Sequence, residues 1–356
     1  MKLQISNSKF TNFIKTCIIL DQTSRFLGEH FNKHRLTIRE DTAFFRDCVF
    51  RNNKNTLQNG TAIHATKPIK LRNCNFAQNL GSFGGSIYTS SEIEARFCTF
   101  YDNSAQNQAA AISIRSTKKI TNITDSIFSK NKANLFGAIF RTSDQSFDFL
   151  RNNVTKSIAT ACVGAIETDL GKTLFKYVIF AENKAEIHNG CLVVRDPSSI
   201  EVLYTIFYKN SHRSSENVVA SCLLIYSVPI IGKISDCLFA KNNRSGSYTI
   251  RAYYGSPLAI LKTQIDEVIS KSVKGEPNPK SVHFTFNPDI NIDLKWKVSE
   301  QKEMFGYQEF RIMDDSSLYT TENIIKVFLA GMIFALAFSF ILVKLFGLIF
   351  IGRKID

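Results

Sequence analysis

The stretch "CNFAQNLGSFGGSIY", residues 74–88, decides the fold, because its parts recur along the chain. Cys74 and Phe76 stand two apart, so on an extended segment they share one face. Asn79 follows three residues after Phe76, and Gly84-Gly85 opens a second apolar run that reaches Ile87. Aligning the chain on Phe-x-x-Asn gives eight registers: Phe50/Asn53, Phe76/Asn79, Phe100/Asn103, Phe128/Asn131, Phe149/Asn152, Phe180/Asn183, Phe207/Asn210 and Phe239/Asn242. The Phe-to-Phe steps are 26, 24, 28, 21, 31, 27 and 32 residues. Internal periods of this length signal a solenoid. A degenerate earlier unit is expected at Ser8 and Phe10.

Two residues before each Phe stand Cys48, Cys74, Cys98, Ser126, Phe147, Val178, Thr205 and Cys237, a strand-like alternation of small or apolar side chains with Phe. Five to twelve residues after most of the Asn comes a short apolar run: "GTAI" at 60, "GGSIY" at 84, "GAIF" at 137, "GAIE" at 164 and "GCLVV" at 190. "AAAIS" at 109 and "SCLLI" at 221 lose the Gly and keep the pattern. A third apolar stretch, such as "PIKLRNC" or "SEIEARFC", usually precedes the next Phe. Three short strands in a period near 27 describe a right-handed parallel β-helix. Helical repeats fit worse, since they need a period of 3.6 held over ten or more residues. Stacking coils about 4.8 Å apart sets Phe on Phe and Asn on Asn, with Gly at tight corners.

The bulk composition agrees. The 356 residues are 44% hydrophobic and 21% charged, with 30 Phe against one Trp, as if one structural position kept demanding Phe. The net charge of +13 suits an anionic partner, but Lys and Arg are scattered and no nucleic-acid motif occurs, so nucleic acid is not an expected partner. Eight Cys at 17, 48, 74, 98, 162, 191, 222 and 237 form no zinc pattern and no CxxC. They fall in inward columns, 48, 74, 98 and 237 in one and 191 and 222 in another. They read mainly as small core residues, with a disulfide between adjacent coils left open.

From Val327 to Val343 run 17 uncharged residues, and "LFGLIFI" extends the apolar stretch to Ile351, enough for one transmembrane helix. Lys344, Arg353 and Lys354 favour a cytoplasmic C-terminus and an outward-facing solenoid, although Lys326 weakens the asymmetry. The triplets at Asn59, Asn122, Asn153 and Asn243 are candidate N-glycosylation sites, consistent with that topology. Against it, residues 1–24 offer only the short apolar run Cys17 to Leu20 as a signal sequence. A tail-anchored chain with a cytosolic solenoid, or a truncated start, would account for that.

Phe-x-x-Asn combined with Gly-Gly-Ala-Ile-like tetrads, of which Gly84-Gly85-Ser86-Ile87 is the fullest here, resembles the repeats of chlamydial polymorphic outer-membrane proteins and of similar trichomonad-type surface proteins. More broadly it looks like the pectate-lyase-like superfamily. The resemblance covers about residues 40 to 260 and implies adhesion at a cell surface. The chlamydial proteins end in a β-barrel, whereas this chain ends in one apolar segment, which implies a different anchoring mode.

No catalytic constellation is apparent. The Asn-Thr-Asp, Gly-His-Gly and Arg-Ile-Lys triplets of polygalacturonase-like enzymes are missing. Glu92/Glu94 and Glu167/Asp169 stand at i and i+2 but read as ordinary solvent-side residues. Asp314-Asp315 reads as stalk surface. The six His, at 30, 34, 64, 188, 212 and 283, show no ligand spacing, so no metal and no cofactor is expected. Gly84-Gly85 is no phosphate loop, since no GKS/T follows.

The expected architecture is therefore an all-β parallel solenoid over residues 1–268, a cap and membrane-proximal segment over 269–323, a transmembrane helix over 324–351 and a basic tail over 352–356. The expected function is non-enzymatic adhesion or surface display. Its partners would be the lipid bilayer and an extracellular glycan or host-surface ligand. The alternative is a carbohydrate-active β-helix enzyme, possessing an unrecognised or degenerate site.

Overall fold

The computed structural model describes residues 3–286 except 7–8, 12–17, 21–23, 34, 40, 116–119, 214–219, 227–231, 243–247, 253–257, 267–272 and 275–281, with side chains from residue 25 to 266. These residues lie in a unit spanning Met1–Asn291; the second unit, Ile292–Asp356, lies outside the described residues, and with it the apolar segment. Among the described residues no helix is long and apolar enough to cross a membrane.

The coil that opens with "IKLR" shows the building unit. It runs through Ile69–Arg72, Asn75–Ala77, Leu80–Phe83 and Ile87–Thr89, then passes to Ile93–Arg96 of the next coil. Each strand pairs in parallel with its equivalents in adjacent coils: Ile69 with Ala43 and Ile93, Phe76 with Phe50 and Phe100, Ile87 with Ile63 and Ile112. The result is a sheet of 22 strands, one of eleven and one of six. The 22-strand sheet contains two strand columns, joined because Leu258–Ile265 pairs with both Gly232–Ser235 and Leu238–Ala240. Pairing continues beyond residue 268, where Val273–Lys274 and Val282–Phe286 join the same ladders, so the boundary expected at 268 falls inside the stack.

The core is a set of like-on-like columns. Phe31, Phe50, Phe76, Phe100 and Phe128 stack with centroids 4.6–4.8 Å apart, as do Phe180, Phe207 and Phe239 at 5.1 and 4.6 Å. The strand register continues toward the N-terminal side, where Phe10 pairs with Phe31. Beside it runs a buried asparagine ladder: Asn53 Nδ2 donates to Asn79 Oδ1 at 2.8 Å, Asn79 to Asn103 and Asn103 to Asn131 at 3.1 Å. A second run of the ladder accompanies Phe180, Phe207 and Phe239. There Asn183 Nδ2 donates to Asn210 Oδ1 at 3.0 Å and Asn210 Nδ2 to Asn242 Oδ1 at 3.2 Å. From Asn79 onward the spare N–H binds a carbonyl in a neighbouring coil, as Asn103 Nδ2 does Phe76 O at 2.9 Å, Asn210 Nδ2 does Phe180 O at 2.9 Å and Asn242 Nδ2 does Phe207 O at 3.0 Å. No buried amide in these runs therefore lacks partners.

One register differs from the sequence alignment. Phe149 and Asn152 do not belong to the Phe and Asn columns; Phe128 pairs with Val154 and Val154 with Phe180, so the true steps are 26 and 26 instead of 21 and 31. Phe149 lies one strand earlier, opposite Ile123 and Phe175, and Asn152 falls in the column of Cys98 and Ser126. The cause is that both corners are built alike. Each has a strand, one non-glycine residue in the left-handed region, then a small or polar buried residue. At one corner the left-handed residues include Asp125 (φ 55), Arg151 (φ 54) and Tyr177 (φ 57); at the other they include Lys130 (φ 56), Lys156 (φ 53) and Glu182 (φ 58). Phe-x-x-Asn therefore fits either corner. Phe149 and Phe175 pack tilted against Phe128 and Phe180 where the smaller Val154 interrupts the stack.

The glycines serve two needs. Gly84 (φ +58) takes a left-handed turn, whereas Gly137 and Gly164 permit close approach: a Cβ on Gly137 would stand 2.0 Å from Gly164 O. Ala110 stands in the Gly137 column, so that one coil accommodates a Cβ where Gly137 cannot. Cys48, Cys74, Cys98, Cys162, Cys191, Cys222 and Cys237 are not joined in disulfides. All but Cys162 are buried, and burial pushes the Cys237 thiol up to about 12.

Candidate binding face

Strand alternation divides the eleven-strand sheet into an inner and an outer face. Ile63, Ile87, Ile112, Ile139, Ile166, Leu192 and Leu223 enter the core. The intervening row, His64, Tyr88, Ser113, Phe140, Glu167, Val193 and Leu224, therefore points outward in register, and a second outward row carries Arg115, Thr142, Asp169, Arg195 and Tyr226. The segments that lead into these strands form a shoulder over the first row. Phe136, Val163, Phe140, Val193 and Leu224 make a separate small apolar cluster there, with Phe136 stacked on Phe140 at 4.7 Å.

Glu167 sits in that row between Phe140 and Val193 and is only 3% exposed, in contrast to the solvent-side position expected for it. Arg195 Nε donates to Glu167 Oε1 at 2.8 Å, and Asp169 Oδ1 lies 4.0 Å from the same nitrogen. Burial outweighs the attraction of Arg195 and raises the Glu167 carboxyl to about 7; Asp169 rises to about 6, also through burial. Burial acts to lower the Arg195 guanidinium, but Glu167 and Asp169 hold it above its ordinary value. Near neutral pH Glu167 is therefore a buried carboxyl able to donate or accept a hydrogen bond, held beside the Arg195 cation. Glu94, of the other carboxylate pair, bonds Lys70 Nζ at 3.1 Å on a different sheet.

Cations and rings alternate along the rest of the face. Arg115 lies over Phe83 and Phe140, 5.1 and 5.7 Å from their centroids, and donates to Gln108 Oε1 at 2.7 Å. Arg195 lies 5.7 Å over Tyr226. Toward the N-terminal side, Arg35 donates to Asn59 O at 2.9 Å and contacts His64 Nδ1, and the His64 ring lies 5.2 Å from Tyr88. Burial and then the charge of Arg35 lower the His64 imidazole, leaving it neutral at pH 7.

Arg141 belongs to the inner row and is 0% exposed. It donates to Thr168 Oγ1 at 3.1 Å, Leu170 O at 3.3 Å and Gln145 O, tying two successive turns together. Burial lowers it to about 10 against the opposing Asp144, so it stays charged. Nothing in the repeat pattern marked this position.

The repeat residues proposed from the sequence are thus scaffold. From Phe50 and Asn53 to Phe239 and Asn242 all are buried, Asn210 and Asn242 included, and none lies on the outer face of the eleven-strand sheet. Among the candidate glycosylation sites, Asn59 is half-buried in a turn, Asn122 is half-buried in a strand, and Asn153 is 8% exposed in a strand instead of an open loop; Asn243 lies outside the described residues. Among the described residues no group of three or more His, Cys, Asp or Glu could hold a metal ion.

Residues 1–154 match the family model described as a right handed beta helix region. With the parallel ladders that run through and beyond that segment, this makes the chain a right-handed parallel β-helix repeat protein. No match was found among curated proteins or among solved structures.

Proposed function

We propose that this β-helix is a non-enzymatic, membrane-anchored surface protein that adheres to an extended glycan through the outer face of its eleven-strand sheet. The observation that carries the reading is a set of guanidinium–ring groups left at least partly exposed on that face, Arg35 and His64 beside Tyr88, Arg115 over Phe83 and Arg195 over Tyr226, spread along successive rungs about 4.8 Å apart. Rings with edge hydrogen-bonding groups suit pyranoses, and a straight solenoid face suits a polymer. The anchor rests on the apolar run Val327–Ile351. Tyr88→Ala with Tyr226→Ala in the full chain should lose binding on a glycan array that the parent retains; an unchanged profile would remove this face from the reading. Surface labelling of a tag placed in the coils, on intact cells, checks the outward topology.

A carbohydrate-active enzyme is the second reading, favoured by one observation: Arg195 Nε binds Glu167 Oε1 at 2.8 Å with Asp169 Oδ1 4.0 Å away, a carboxyl pair that burial raises above the ordinary carboxylate range. Product release from a panel of acidic and neutral polysaccharides, abolished by Glu167→Gln, would establish it in place of adhesion alone.

A further inference from the structure

The outer face of the first strand column in the 22-strand sheet carries a different feature. Parallel pairing sets Arg46 against Arg72 and Arg72 against Arg96, so three exposed arginines stand in register on consecutive coils, about 4.8 Å apart along the backbone. Like charges directly opposite on a sheet repel. The coil register is imposed by the Phe and Asn columns and cannot slip to relieve them. Acidic groups compensate only the outer two, and only in part. Asp47, 3.2 Å from Arg46 Nε, also accepts from Asn73 Nδ2 at 2.6 Å. Asp125, 3.3 Å from Arg96 Nε, is bound more closely by Arg151, at 2.5 and 3.0 Å. Arg72, in the middle, has no acidic partner among the described residues. Arg25 and Lys70 stand in the adjacent outward row, the Lys70 charge met by Glu94.

We propose that Arg46, Arg72 and Arg96 form a binding ladder for an acidic polysaccharide, sulfated or uronic, lying along the solenoid axis. This second site is distinct from the aromatic face described above. A row of guanidiniums at constant spacing offers forked N–H pairs to a row of sulfates or carboxylates, and a flat polymer can follow it without bending. Single-stranded nucleic acid would need aromatic platforms for its bases. The rings here do not provide them: Phe97 is covered by Arg96 at 4.7 Å.

The test uses the full-length chain in detergent, with heparin and polygalacturonate as probes, dextran as the neutral control and oligo-dT as the nucleic-acid arm. The variant Arg46→Ser/Arg72→Ser/Arg96→Ser is compared with Lys132→Ser/Lys172→Ser/Lys233→Ser, which removes equal charge from exposed positions on other coils. All six side chains are exposed, and an unchanged circular dichroism melt confirms folding. The expected result is tenfold or greater loss of heparin or polygalacturonate binding in the arginine variant, little loss in the lysine variant, and a salt-dependence slope lower by about 2–3. Equal loss in both variants, binding to neither probe, or equally tight binding of oligo-dT would overturn the proposal. Tyr88→Ala/Tyr226→Ala leaves heparin binding intact if this site is separate, so the two readings fail independently.

Discussion

Ser157 donates its backbone N–H to Asn183 Oδ1 at 3.0 Å and so begins the second run of the asparagine ladder, which continues through Asn210 to Asn242, while its own hydroxyl has no partner. Asn131, one coil earlier, donates its side-chain amide to Phe100 O but finds no asparagine to continue to. The ladder is broken at one rung, in the coil where Val154 also replaces the stacking Phe.

Ser157→Asn should restore the rung. The new amide can accept from Asn131 and donate toward Phe128 O by the pattern of its neighbours, a gain of about 1–2 kcal/mol in denaturant unfolding. Ser157→Ala should be nearly neutral, because the hydroxyl it removes is unpaired. A destabilised Ser157→Asn would show that the narrower coil lacks room for the amide.

Asn103→Ala should cost about 3 kcal/mol or more. It leaves Asn79 N and Nδ2, now bound at 3.0 and 3.1 Å, without their acceptor in a buried site. Thermal melts of the variant check this, and a loss below about 1 kcal/mol would mean water enters the ladder.

Gly137→Ala should destabilise by about 3 kcal/mol, since its Cβ would meet backbone, Gly164 O at 2.0 Å, and backbone cannot rotate away. Ala110→Gly, in the same column, should cost no more than about 1 kcal/mol.

Glu167 makes stability depend on pH in an unusual direction. Its carboxyl is raised from 4.5 in the exposed state to about 7 in the fold, so its contribution is fully present below pH 4.5 and is lost as pH rises through about 7. Comparing wild type with Glu167→Gln from pH 5 to 8 should show the wild type losing on the order of 1–3 kcal/mol relative to the variant. A difference independent of pH would mean that Arg195 keeps Glu167 ionised throughout.

The sequence by itself determined the parallel coil. Cys74, Phe76, Asn79 and Ile87 each carry a local requirement, small, aromatic, amide and apolar, and repetition of a local requirement is visible without coordinates. Only the tertiary structure decided which Phe belongs to which column, because the two corners share one backbone geometry and Phe149 with Asn152 satisfies the motif at the wrong one. The same holds for the outer surface. Glu167 and Asp169 look like any exposed pair until the coils stack, when Glu167 is enclosed between Phe140 and Val193 and burial raises both carboxyls. Arg46, Arg72 and Arg96 lie 24 to 26 residues apart and become one charged ladder only when the coils stack. Inward positions repeat because every coil must fill the same core, whereas outward positions vary freely, and their meaning arises from neighbours one coil away.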